Sequence, residues 1–174
     1  MPPRYVLVGP PGAGKSTIGS MLARRLGVSF VDTDKAIVTK TGKSISDIFI
    51  LDGEAEFRAI ERTVVSEQLQ KSEGVIALGG GSVLNEQTQQ DVDLIKLNGS
   101  RVIFLDVSIA NAAPRIGFNR DRPLLLGNPR AQWLSLMQIR RPIYESLADL
   151  TINTGEQPPN RTVDQIVSHW AESK

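Results

Sequence analysis

The chain has 174 residues, 40% of them hydrophobic and 22% charged, which is ordinary for a globular domain long enough to build a sizeable core. A formal net charge of +1 offers no overall attraction for nucleic acid or anionic lipid, and the absence of cysteine excludes disulfides, thiol catalysis and cysteine-bound zinc. No apolar run reaches membrane-spanning length, and a cleaved leader would destroy the first glycine loop, so a monomeric, cytoplasmic, single-domain protein spanning 1–174 is expected.

Taken in order, Tyr5–Val8 reads as a short buried strand and residues 17–26 as a helix with Ile18, Met21, Leu22 and Leu26 on one face, stopped by Gly27. Between them lies Gly9-Pro10-Pro11-Gly12-Ala13-Gly14-Lys15-Ser16, which satisfies the phosphate-loop pattern. The glycines allow a tight turn that aims successive N–H groups at phosphate oxygens, and the following helix adds the positive end of its dipole. Lys15 brings a charge to the outer phosphates, and the Ser16 hydroxyl suits a magnesium ion. A nucleoside triphosphate is the expected ligand.

Residues 28–31 read as a second strand that ends at Asp32-Thr33-Asp34. If that segment is extended, the two carboxylates share a side and repel each other unless a cation or a donor intervenes. A magnesium shell beside Ser16 accounts for one and a substrate hydroxyl for the other; the competing reading is a turn, or Asp34 capping a helix over 35–40. A short helix over 44–51 and a long one over 54–70 follow, the latter stacking Glu54, Arg58 and Glu61 on one stripe. Residues 75–78 form a third strand before Gly79-Gly80-Gly81, read as a tight connection or as a close backbone approach to a ligand.

The pattern continues with a helix at Glu86–Leu97, a strand at 102–106, and a helix capped by Ser108 that Pro114 should kink or shorten. Residues 119–130 mix charge, proline, glycine and Leu124-Leu125-Leu126, as a mobile flap does. Helical spacing resumes over 131–139 before Pro142, Leu150–Asn153 is the fifth strand, and Thr162 with Gln165 suggests a capping box for the last helix. Short apolar strands alternating with helices give a parallel sheet covered on both faces, whose ligands bind beyond the carboxyl ends of the strands. From spacing alone Arg58, Arg140 and Arg141 are equally well surface groups or a fork for a carboxylate, while His169, Trp133 and Trp170 read as structural.

Gly9 to Ser16, Asp32-Thr33-Asp34, Gly79-Gly80-Gly81, Arg122-Pro123-Leu124-Leu125 and Arg140 stand in the order and spacing of the shikimate kinases, a resemblance that runs from the first strand to the last helix. It implies a three-layer α/β/α fold with a five-stranded parallel sheet of the nucleoside monophosphate kinase type, with a lid at about 116–130. It implies ATP-dependent phosphorylation of the 3-hydroxyl of shikimate, a step toward chorismate and the aromatic amino acids. Gly12, Ala13, Gly14, Lys15, Ser16 and Thr17 would then contact ATP, with Arg115 beside adenine and Arg122 reaching the transferring phosphate from the lid. Ser16 and Asp32 would serve one Mg²⁺. Asp34 would hold the ring hydroxyls, Arg58 and Arg140 the carboxylate, Gly80 and Gly81 backbone contacts, and Pro11, Phe49 and Phe57 the pocket walls. Lys15, Asp34 and Arg122 would be the catalytic groups. The loop from Thr154 to Pro159 lacks the arginine that some members place near adenine. The rival readings are a kinase of another small hydroxy acid such as gluconate, and a nucleotide-binding switch with no acceptor.

Overall fold

The computed structural model describes residues 4–116 and 127–171. Strands β1 (Tyr5–Val8), β2 (Phe30–Asp32), β3 (Val75–Ala77), β4 (Arg101–Asp106) and β5 (Leu150–Asn153) form one parallel sheet in the order β2-β3-β1-β4-β5. Central β1 pairs Val6 with Ile76 of β3 on one side and with Val102 of β4 on the other. These strands read as continuous apolar runs because helices cover both of their faces; Val6, Leu7, Ile76, Val102, Ile103 and Phe104 are wholly buried.

The helices are α1 (Lys15–Leu26), α2 (Thr33–Thr41), α3 (Ile45–Asp47), α4 (Glu54–Lys71), α5 (Glu86–Leu97), α6 (Ile109–Ile116), α7 (Pro129–Leu147) and α8 (Pro159–Ala171), with a π-helical turn at Ile48–Asp52. Helix α1 lies against β1, β2 and β3 and beside α8, while α4, α5 and α7 pack side by side. The architecture is the expected α/β one. A second, smaller apolar cluster of Ile37, Ile48, Phe57 and Val64, joined by Phe49 and Ile60, ties α2, the π turn and α4 together away from the main core.

Several local expectations change. Strand β2 is Phe30–Asp32, and α2 begins at once with Thr33, so Asp32 and Asp34 do not stand side by side on an extended segment. The cap of α2 is Asp32, whose carboxylate accepts from the Asp34 and Lys35 amides, and not Asp34. Pro142 does not end α7, which runs on to Leu147. A proline inside a helix costs about 3 kcal/mol, but continuing the helix buries Tyr144 and Leu147, each worth a comparable amount. Helix α8 starts at Pro159, so Thr162 is buried within it and accepts from the Gln157 side chain; no capping box forms there. Ser108 does cap α6, accepting from the Asn111 amide at 3.3 Å, and that helix is short, eight residues with Pro114 in its last turn. Arg122 lies outside the described residues, as does most of the expected lid.

Candidate active site

The carboxyl ends of β1, β2, β3 and β5 border one cleft of about 430 Å³, lined by the loop after β1, Asp32, Asp34, Gly80, Arg115, Thr154 and Gln157 among others. At its phosphate end the backbone is bent by Gly12 and Gly14, whose φ angles of 84° and 88° are strained for any residue with a Cβ. Gly14 is also the N-cap of α1 and supplies no side-chain bond, so the first-turn amides of Lys15, Ser16 and Thr17 lack a capping side chain. Such a terminus is an anion site. The Lys15 ammonium folds back over the loop, donating to the carbonyls of Gly9 at 2.8 Å and Pro10 at 3.0 Å.

Three contacts from elsewhere hold this loop in shape. The Trp133 indole N–H of α7 donates to the Pro11 carbonyl at 2.9 Å. Thr154, just past β5, donates its buried hydroxyl to the Ala13 carbonyl at 2.8 Å. Arg115 of α6 donates to the Gly12 carbonyl at 3.2 Å and the Thr154 carbonyl at 2.8 Å, and it lines the cleft. Trp133 was expected in the core and is 2% exposed, but its nitrogen also serves the loop. Nothing local in the sequence marks Thr154 for this task, because its partner is 141 residues away.

The Ser16 hydroxyl donates to Asp32 Oδ2. A hydroxyl and a carboxylate are hard oxygen donors of the kind Mg²⁺ takes. Among the described residues no group of three or more His, Cys, Asp or Glu side chains gathers to hold a metal alone. The pair therefore fits an ion that arrives with a polyphosphate and takes its remaining ligands from phosphate and water.

Beside Gly80, which lines the cleft, charged side chains gather. A methyl added at Gly79 would lie 2.7 Å from Asp34 Oδ1 and 3.0 Å from Glu61 Oε2; one at Gly80 would lie 3.3 Å from Arg140 Nη1, and one at Gly81 would lie 2.6 Å from Arg58 Nη1. None of these three glycines has a positive φ, so what demands them is the close approach of charged groups, not a turn. The triple glycine thus gathers Asp34, Arg58 and Arg140, which come from α2, α4 and α7.

Arg58 is held by Glu61 at 2.7 Å and lies over the Phe57 ring, 5.2 Å from its centroid; Phe49 stacks on Phe57 at 4.6 Å. Glu61, on the same helical stripe as Arg58, is only 3% exposed. Burial lifts its carboxyl above the ordinary glutamate range, with Arg58 opposing that shift. Arg140 is 3% exposed and its Nε has no partner among the described residues. Arg141, adjacent in sequence, instead grips Asp106 at the end of β4 with two bonds of 2.7 and 2.9 Å, a structural clasp.

The relationship to known proteins agrees with this layout. The family model "Shikimate kinase" matches residues 11–171. A shikimate kinase of Thermobifida fusca (strain YX) is 53% identical over 94% of this chain and 92% of that protein. One from Rhodococcus jostii (strain RHA1) is 44% identical over 99% and 100%. In three dimensions, a shikimate kinase from Acinetobacter baumannii, solved in complex with shikimate, superposes with a TM-score of 0.92 at 32% identity, covering 100% of this chain and 95% of the other. With sequence, fold and coverage in accord over almost the full length, this chain belongs to the shikimate kinase family.

Proposed function

We propose that this protein transfers the γ-phosphoryl group of ATP to the 3-hydroxyl of shikimate, giving 3-phosphoshikimate and ADP. The observation that carries the reading is Arg140, a buried guanidinium with an unpartnered Nε beside Gly80, which lines the same cleft as the phosphate loop. An unsatisfied buried donor costs about 1–3 kcal/mol, more when charged, and a carboxylate on the acceptor offsets that cost. Arg58 flanks the same glycine pair and supplies the second cation. A switch without an acceptor leaves both arginines unexplained, and family membership favours shikimate over gluconate.

The loop amides, the start of α1 and Lys15 hold the outer phosphates of ATP, while Arg115 stands at the nucleoside side. Ser16 and Asp32 would hold Mg²⁺, which neutralises phosphate charge when bound. Asp34 orients the acceptor hydroxyl and is the nearest carboxylate able to take its proton. The transition state of such transfers is loose, so alignment and charge neutralisation dominate over base strength. Arg122 is assigned to the transferring phosphate. Pro11, Phe49 and Phe57 wall the acceptor. The same reading makes the chain a cytoplasmic monomer, with no nucleic-acid or membrane partner.

A coupled assay of ADP release tests the proposal. Turnover is expected with shikimate and not with gluconate or nucleoside monophosphates, and equal rates with gluconate would overturn the substrate assignment.

A further inference from the structure

We propose that Tyr144, which is not among the residues lining the cleft, is a positioning residue that occupies the Gly80 carbonyl and so keeps the neighbouring Arg140 guanidinium turned to its acceptor. The inference rests on the carboxylate reading of Arg140 given above. Residues 140 and 144 are one turn apart on α7, and both are buried there, at 3% and 0% exposure. The Tyr144 hydroxyl donates to the Gly80 carbonyl at 2.5 Å, and a methyl built on that same glycine would lie 3.3 Å from Arg140 Nη1, so the two side chains converge on one backbone unit. A guanidinium only donates and a carbonyl only accepts, so with the phenol in place the Gly80 carbonyl is already served.

The link is rigid and always present. The phenol ring rests against Phe104 with centroids 5.1 Å apart, and burial pushes its hydroxyl up to about 12, so the proton stays on the oxygen across the neutral range. With the Gly80 carbonyl held by Tyr144, the neighbouring Arg140, whose Nε has no partner among the described residues, is left for an acceptor. Gly80 lines the cleft, so the same hydroxyl also holds the strip of backbone past which the acceptor lies. Tyr144→Phe keeps the ring but leaves the Gly80 carbonyl without its donor. Arg140 Nη1 already lies near that glycine, so the guanidinium is then free to turn and bond the carbonyl itself, withdrawing from the acceptor.

The test is a double-mutant cycle on the full-length protein with shikimate and ADP binding measured by calorimetry, using Tyr144→Phe, Arg140→Ala and the pair. Tyr144→Phe should weaken shikimate binding about tenfold while leaving ADP affinity unchanged, the latter also showing that the variant is folded. In the Arg140→Ala background the same change should cost nothing further. A merely structural tyrosine would lower both affinities, or act equally in the two backgrounds, and either result overturns the inference while leaving Arg140 in its role. If Arg140→Ala itself leaves shikimate binding intact, the carboxylate reading fails, and the positioning role fails with it.

Discussion

The phosphate loop presents main-chain amides of one contiguous segment, whereas charged side chains from α2, α4 and α7 gather around Gly79 to Gly81. The first is braced by neighbours that bond its carbonyls, Trp133 to Pro11 and Thr154 to Ala13. The second is braced by ion pairs and a small separate apolar cluster around Phe57. Amides in a fixed turn recognise any phosphate and cannot be removed by a single side-chain change. Paired guanidinia recognise one planar anion and are lost one at a time. Affinity for nucleotide should therefore resist mutation, while acceptor affinity should be divisible among individual residues.

The sharpest way to break that contrast is at the cation that folds over the phosphate loop. Lys15→Ala is expected to abolish measurable transfer while the fold persists, because the amides remain but the cation over the outer phosphates is gone. Near-normal turnover in the ADP assay would end the phosphate-loop reading.

Smaller effects are expected at the acceptor end. Arg58→Ala and Arg140→Ala should each weaken shikimate binding by about 2–4 kcal/mol with little change for ATP. Loss of nucleotide affinity in either would show that the two ends are not separately built.

Least in size is the contribution of Glu61. Its carboxyl titrates above the ordinary value of 4.5 because it is buried, so ionising it opposes folding. That contribution is complete below about pH 4.5 and is lost as pH rises through the folded-state value. Glu61→Gln should accordingly match the wild type in acid and gain on it in thermal midpoint toward neutrality, while shikimate affinity falls modestly as Arg58 loses its anchor. A variant whose midpoint instead falls below the wild type's as pH rises toward neutrality would mean that Arg58, and not burial, governs this carboxyl.

How far each region was legible follows from the same contrast. Tyr5–Val8 and the glycine loop were readable because an unbroken apolar run and a consecutive motif carry their own geometry. The likeness of Asp34, Arg58 and Arg140 to a known pattern named the acceptor residues, but spacing alone left the arginines as well suited to the surface. Gly79 to Gly81 gained a further meaning beyond a connection or a ligand contact, a space cleared for Asp34, Glu61, Arg58 and Arg140. Tyr144 had a legible position, four residues beyond Arg140, yet no local signal that its hydroxyl meets Gly80.

Sequence by itself determined the order of strands and helices, the bent phosphate-binding turn and the hydroxyl and carboxylate suited to a metal. These depend on backbone conformation and on the chemistry of near neighbours. Tertiary structure alone decided that α7 runs through Pro142, that Asp32 caps α2 as well as meeting Ser16, and that Glu61 is buried. It also decided that Arg140 faces inward while Arg141 clasps Asp106. Which of two adjacent arginines is buried depends on what lies opposite each helix face, and those partners come from strands and loops tens of residues away.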